Sequence, residues 1–110
     1  MKHPEFDLRY QQLLLDLDEL ANLLRKYGED RWADLIAKDR LALEAFEMRA
    51  IERLLSAFGT MGSFNDLFLH PSNGHAIKEE EVEEVEEHLA DISSQIWINA
   101  KYLKQTLGKR

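Results

Sequence analysis

The fold is decided by a ten-residue junction, Phe58-Gly59-Thr60-Met61-Gly62-Ser63-Phe64-Asn65-Asp66-Leu67, which interrupts the helical periodicity of the chain. Gly59 is expected to end one helix, because glycine tolerates the backbone angles found at helix C-termini. Ser63, followed three residues later by Asp66, has the form of a capping box and predicts a new helical turn. The junction is therefore predicted to be a tight corner between two capped helix ends.

The same junction lacks the patterns of the catalytic loops with which it could be confused. Backbone amides at a helix start can bind anions, but the Gly-Lys-Ser/Thr ending of a nucleotide-binding loop is absent. Ser63 does not lie in a Gly-x-Ser-x-Gly frame, so it is not a predicted hydrolase nucleophile. We therefore predict no catalytic residue and no enzymatic activity.

Apolar residues at helical spacing extend on both sides of the junction. They predict helices over about residues 5–27, 30–58 and 78–107. Near Glu44 to Met48 the apolar residues depart from regular helical spacing. This favours a break between two helices there, and one bent helix is the alternative. The clearest stripes are those of the first helix (Phe6, Tyr10, Leu13, Leu17, Leu20, Leu24 and Tyr27) and the last (Val82, Val85, Leu89, Ile92, Ile96 and Leu103, with Asn99 in the missing slot).

These elements predict an all-α fold, a compact three- to four-helix bundle with a long C-terminal helix and the glycine-rich junction. A chain of 110 residues is expected to form a single domain over residues 1–110. Gly28 is predicted to cap the first helix in a left-handed conformation. Asp30 is the expected N-cap of the second helix.

Composition excludes several classes of function. The chain has no cysteine, which removes disulfides and thiolate metal sites. Its net charge of −7 argues against binding to nucleic acid or to an anionic membrane, since both require clustered Lys and Arg. The Leu-rich start is interrupted by acidic residues, so we expect neither a signal peptide nor a membrane span, and a cytoplasmic location.

An acidic run is the most distinctive polar feature. Seven glutamates lie within residues 79–87, broken only by two valines of the apolar stripe. A solvated helix start is the simpler explanation, because carboxylates there complement the helix dipole. The functional hypothesis is an acidic face that binds a basic protein partner, formed by Glu79, Glu80, Glu83, Glu84 and Glu87.

A second polar cluster is predicted beside the junction, with Asn65, Asp66, His70 and His75 as its members. Two His and one Asp form a conceivable metal set, but the spacing matches no metal motif, and exposed turn histidines are the simpler expectation. Glu84 and His88 lie one helical turn apart and would need carboxylates from the first helix, such as Asp16 and Glu19. No Glu-x-x-His occurs, so the ferritin-like di-iron pattern is absent. We predict no metal and no cofactor.

The last helix also suggests a surface for self-association. It is long enough to extend past its neighbours, and Trp97, Ile98 and Tyr102 lie off its main stripe. These three residues are a candidate homodimer surface. Packing against a third helix within the chain explains them equally well.

Three segments, Arg31-Trp32-Ala33, the junction 58–67 and Asn73-Gly74-His75, resemble a family of small bacterial helical proteins of unknown function. That family shares approximately Arg-Trp-Ala, then Phe-Gly-Gly-Met-Gly-Ser-hydrophobic-Asn-Asp-Leu, then Asn-Gly-His. The resemblance covers roughly residues 20–89. It implies a bacterial protein and brings no established activity, so no catalytic residue is carried over.

The chain departs from this pattern at two positions. Thr60 replaces the second glycine of the central motif, and Phe46 stands where the family has a glycine between helices. The second departure argues against the break near Glu44 to Met48. The resulting hypothesis is a non-catalytic binding module of immunity or adaptor type, with a self-associating structural protein and a metal-dependent enzyme as the alternatives.

Overall fold

The computed structural model describes residues 4–59, 67 and 69–108, and over these residues the chain forms a four-helix bundle with no strand. This confirms the all-α class and the long C-terminal helix. Residues 60–66 of the junction, including Asn65 and Asp66, lie outside the described residues. The helices are α1 (Pro4–Lys26), α2 (Asp30–Glu44), α3 (Arg49–Gly59) and α4 (Val82–Leu107), and two 3₁₀ turns, Pro71–Asn73 and Glu79–Glu81, precede α4.

The helices alternate in direction. Arg25 Nη1 lies 2.8 Å from Asp34 Oδ1 near the α1–α2 turn, and Arg40 Nε lies 2.8 Å from Asp18 Oδ1 further along, which makes α1 and α2 antiparallel. Ion pairs from Asp39 to Arg53 and from Glu52 to Lys104 likewise set α3 against α2 and α4. The result is an elongated body of about 50 × 22 × 21 Å.

α1 and α4 lie side by side over nearly their whole length. Arg9 Nη1 donates to Asn99 Oδ1 at 3.2 Å, and Glu19 Oε1 lies 2.9 Å from His88 Nε2. Leu107, at the end of α4, still packs against the core. The expectation that α4 extends past its neighbours is therefore wrong, because α1 is long enough to accompany it.

The core consists of the predicted stripes. Tyr10, Leu13, Leu17, Leu20, Leu24 and Tyr27 of the first stripe are buried, and so are Val85, Leu89, Ile92, Ile96, Asn99 and Leu103 of the last. Because α3 has only 11 residues, it covers only part of α4. The segment 69–78 packs near the other end of α4, and its residues Leu69 and Ile77 are buried.

α1 and α2 end in the same hydrogen-bonding motif. After α1, Gly28 N–H donates to Arg25 C=O at 3.1 Å and Glu29 N–H to Leu24 C=O at 2.8 Å. After α2, Phe46 N–H donates to Leu43 C=O at 2.9 Å and Glu47 N–H to Ala42 C=O at 2.8 Å. Both are Schellman motifs, in which the central residue adopts a left-handed conformation.

The central residue of the first motif is Gly28, with φ +82°, as predicted. The central residue of the second is Phe46, with φ +61°. The favoured break between Glu44 and Met48 is confirmed, and the argument against it from Phe46 was wrong. The chain breaks without glycine because the two capping hydrogen bonds hold phenylalanine in a conformation that costs it about 1–2 kcal/mol.

The start of α2 differs in one detail from the prediction. Glu29, not Asp30, is the N-cap residue, and its Oε2 accepts from Trp32 N–H at 3.4 Å. Asp30 is the first residue of the helix. The other carboxylate oxygen of Glu29, Oε1, lies 3.1 Å from His75 Nε2.

Candidate functional site

The seven glutamates of residues 79–87 divide into two groups. Glu81 and Glu86 form hydrogen bonds within the fold. Glu81 Oε2 accepts a hydrogen bond from Tyr27 O–H at 3.3 Å, and Glu86 Oε1 accepts one from Leu69 N–H at 3.0 Å. Both are partly buried. Each carboxylate connects the start of the last helix to another part of the fold.

The other five glutamates face solvent. Glu79, Glu80, Glu83, Glu84 and Glu87 are all exposed, and none of them has an ion pair with another described residue. These are the five residues predicted to form the acidic face. Their carboxylates repel one another at the (i, i+4) pairs Glu79–Glu83, Glu80–Glu84 and Glu83–Glu87. The arrangement therefore presents unneutralised negative charge at one end of the bundle.

His75 has a structural role. Its side chain is only 8% exposed, and its Nε2 lies 3.1 Å from Glu29 Oε1. Its Nδ1 accepts a hydrogen bond from His70 N–H at 3.2 Å, which assigns the ring proton to Nε2. The nearby backbone bond from Ala76 N–H to Tyr27 C=O, at 2.9 Å, fastens the same segment to the α1–α2 turn.

Two members of the predicted polar cluster, His70 and His75, lie within the described residues. His70 and His75 lie together, as expected, but His75 is only partly exposed and its side chain is largely covered, whereas we expected an exposed turn histidine. His70 Nδ1 accepts from Ser72 N–H at 3.1 Å and caps the 3₁₀ turn. The partner of His75, Glu29, is 46 residues away in the chain. Only the tertiary fold reveals that pair, since no local spacing in the sequence signals it.

The first helix contributes an unexpected buried acid. Asp16 is 7% exposed, its Oδ1 accepts from Gln12 Nε2 at 2.9 Å, and its Oδ2 has no hydrogen-bond partner among the described residues. Burial raises the pKa of Asp16, the Gln12 hydrogen bond lowers it, and the negative charge of Glu19 raises it further. Asp16 therefore does not share a polar surface with Glu19, whose carboxylate pairs with His88.

The chemistry available at these positions is limited. Among the residues that the structure describes, no three His, Asp or Glu side chains are grouped closely enough to hold a metal ion. Burial also raises the pKa of Tyr10, whose O–H donates to the Leu43 carbonyl and so braces the end of α2. Across the same part of the chain, none of the helices combines the length and apolarity needed to cross a membrane.

A shallow groove of about 310 Å³ lies on the second half of α4. Arg9 stacks over the Tyr102 ring at 4.5 Å from its centroid, and the Lys101 ammonium lies 5.7 Å from the Trp97 ring centroid. Ile98 between them is 49% exposed. The predicted surface residues Trp97, Ile98 and Tyr102 therefore line a groove of mixed polarity, together with Arg9, Lys101 and Gln105.

Comparison with known proteins identifies one family. Residues 25–78 match the family described as "Domain of unknown function (DUF6966)". No curated protein and no solved structure matches the chain. The match confirms the expected relationship to a family of unknown function. It runs from the end of α1 to the residue before the acidic run, so α4 lies outside it.

Proposed function

We propose that this chain, whose residues 25–78 belong to a family of unknown function, is a non-catalytic bacterial binding module of immunity or adaptor type. In this proposal the acidic face, formed by the start of α4 and the 3₁₀ turn before it, binds a basic surface of another cytoplasmic protein. The supporting observation is that the five glutamates of this face are exposed and lack ion pairs with other described residues, whereas Glu81 and Glu86 are used within the fold.

The energetics of the acidic face favour this role. Each like-charge pair one turn apart costs a helix about 0.2–0.5 kcal/mol. The helix dipole offsets part of that cost over the first turn only, because its effect falls off beyond there. A basic partner would relieve the remaining repulsion on binding. Such contacts mainly raise the association rate and weaken as salt is added.

The experiment compares two variants with the same change in charge. One carries Glu79→Lys, Glu83→Lys and Glu84→Lys, and the matched control carries Asp7→Lys, Asp30→Lys and Glu47→Lys, all at exposed positions. Proteins captured from the native organism are identified, and the affinity of each purified partner is then measured across salt concentrations.

We expect the acidic-face variant to lose its basic partner and the control variant to retain it. The wild-type affinity should fall as salt rises. A partner that binds both variants as tightly as it binds the wild type would refute the proposed role of the acidic face. Glu87 is left unchanged in both variants, so that contacts further along α4 stay intact.

Self-association along α4 is a second candidate function. It is favoured by a separate observation, the groove formed by Trp97, Ile98 and Tyr102. A third helix of the same chain does not cover Ile98, which remains 49% exposed in the bundle. Sedimentation across a range of concentrations distinguishes this candidate from a monomeric binding module.

A further inference from the structure

The charges of the last helix are segregated along its length. Residues 79–91 contain eight acidic residues and no Lys or Arg, whereas residues 92–110 contain four basic residues and no acid. The acidic half carries the acidic face, and the basic half carries the groove with Lys101 and Arg9 at its rim. The outer side of α4 thus changes from negative to positive, with the exposed Ile98 in the positive half.

The residues on this outer side are arranged evenly about Ser94, which is exposed. Glu87 and Lys101 lie seven residues before and after it, and Ala90 and Ile98 lie four residues before and after it. All four are exposed. Seven residues correspond to about 10.5 Å along a helix, two turns from the centre, so these positions share one face of α4.

We propose that a second copy of this chain binds along the outer face of α4 in antiparallel orientation, with the two-fold axis at Ser94. In this register Glu87 of each copy faces Lys101 of the other, and each Ile98 packs over the Ala90 of the other. Ser94 and Ala90 are small enough to let the two helices approach closely. The groove beside Trp97 and Lys101 then receives the acidic half of the second α4.

Charge complementarity selects this occupant and this orientation. A parallel pair would place Glu87 against Glu87 and Lys101 against Lys101, which is repulsive at both ends. The antiparallel pair makes each of these contacts attractive and repeats it by symmetry, as expected of an isologous interface. A contact made by one helix from each copy is small, so the dimer should be weak and reversible.

This interface rests on the second candidate function, self-association along α4, and gives it an orientation and a register; it does not depend on the binding of a basic protein. Glu83 and Glu87 belong to both the acidic face and the dimer contact, because in this register Glu83 lies opposite Gln105, which lines the groove. Glu79 and Glu80 lie beyond the end of the paired region, because the positions opposite them would fall at or past the last turn of α4. A dimer can therefore form whether or not a basic protein binds those residues.

The first experiment uses charge reversal and sedimentation velocity at low salt. Glu87→Lys and Lys101→Glu should each weaken dimerisation by about tenfold, and the variant with both changes should dimerise as the wild type does. An equimolar mixture of the two single variants should also associate. Matched controls are Glu80→Lys and Lys38→Glu, which make the same charge changes at exposed positions outside the contact and should leave dimerisation unchanged.

The second experiment exploits the absence of cysteine from the chain. Ser94→Cys should form a disulfide-linked dimer in a glutathione redox buffer, because the two copies of residue 94 meet at the axis. Gln11→Cys, exposed on α1, should stay monomeric. A wild type that remains monomeric at millimolar concentration would overturn the proposal. So would a double charge reversal that fails to restore association while circular dichroism shows the variant to be folded.

Discussion

Replacing Phe46 by glycine and, separately, by alanine tests the left-handed turn between α2 and α3. Phe46 occupies the central position of a Schellman motif with φ +61°, where Gly28 stands in the equivalent motif after α1. Phe46 is 74% exposed, and the centroid of its ring lies 6.0 Å from that of the Tyr10 ring. Alanine removes the ring and keeps the backbone strain, whereas glycine removes both.

The expected free energies follow from these observations. Complete burial of a Phe side chain contributes up to ~3 kcal/mol, so the quarter of Phe46 that is covered contributes ~0.7 kcal/mol, and its contact with Tyr10 adds ~0.5 kcal/mol. Phe46→Ala should therefore lower the free energy of unfolding by about 1 kcal/mol. Glycine relieves about 1–2 kcal/mol of strain but loses about 0.5–1 kcal/mol through the entropy of the unfolded chain. The Phe46→Gly variant should thus be more stable than Phe46→Ala by about 0.5–1 kcal/mol.

Urea unfolding followed by far-UV circular dichroism measures this difference, at protein concentrations low enough to keep the chain monomeric. Gly28→Ala is the reverse substitution, at the equivalent position after α1. The added Cβ would lie 3.8 Å from Ala76 N, so it causes no steric clash. It should destabilise the protein by about 0.5–1 kcal/mol, because about 1–2 kcal/mol of left-handed strain is partly offset by the lower entropy of the unfolded chain. If Phe46→Ala is at least as stable as Phe46→Gly, residue 46 does not need a left-handed conformation in solution and the reasoning fails.

Two further predictions concern the polar side chains of Asp16 and His75. Burial raises the pKa of Asp16, so the folded protein binds this proton more tightly than the unfolded chain, and the contribution of Asp16 to stability falls as pH rises through its folded pKa. Asp16→Asn should therefore stabilise the protein by about 1 kcal/mol at pH 7, with a gain that shrinks in acid; an equal gain at all pH values in thermal melts would contradict this. His75→Ala should cost about 1–3 kcal/mol by removing its hydrogen bonds to Glu29 and His70. A double-mutant cycle with Glu29→Ala should show coupling between the two side chains, and purely additive losses would count against the pair.

The helices and the core were predictable from the sequence because their signals are local. Apolar residues at alternating spacings of three and four define a buried stripe in any helix, and the stripes of α1 and α4 are buried as expected. Gly28 was recognisable as a left-handed cap for the same reason. The exposed members of the acidic run were also identifiable, since the positions of Val82 and Val85 determine which glutamates point away from the core.

The tertiary structure alone decided the polar pairings and the strained turn. Glu29 with His75, and Glu19 with His88, join residues 46 and 69 positions apart. Asp16 looks like a surface residue in the sequence but is buried in the folded chain. Phe46 adopts its left-handed conformation because the geometry of the α2–α3 corner outweighs the preference of one residue. Periodicity along the chain sets which face of a helix is buried, but the contacts between helices determine which polar group meets which.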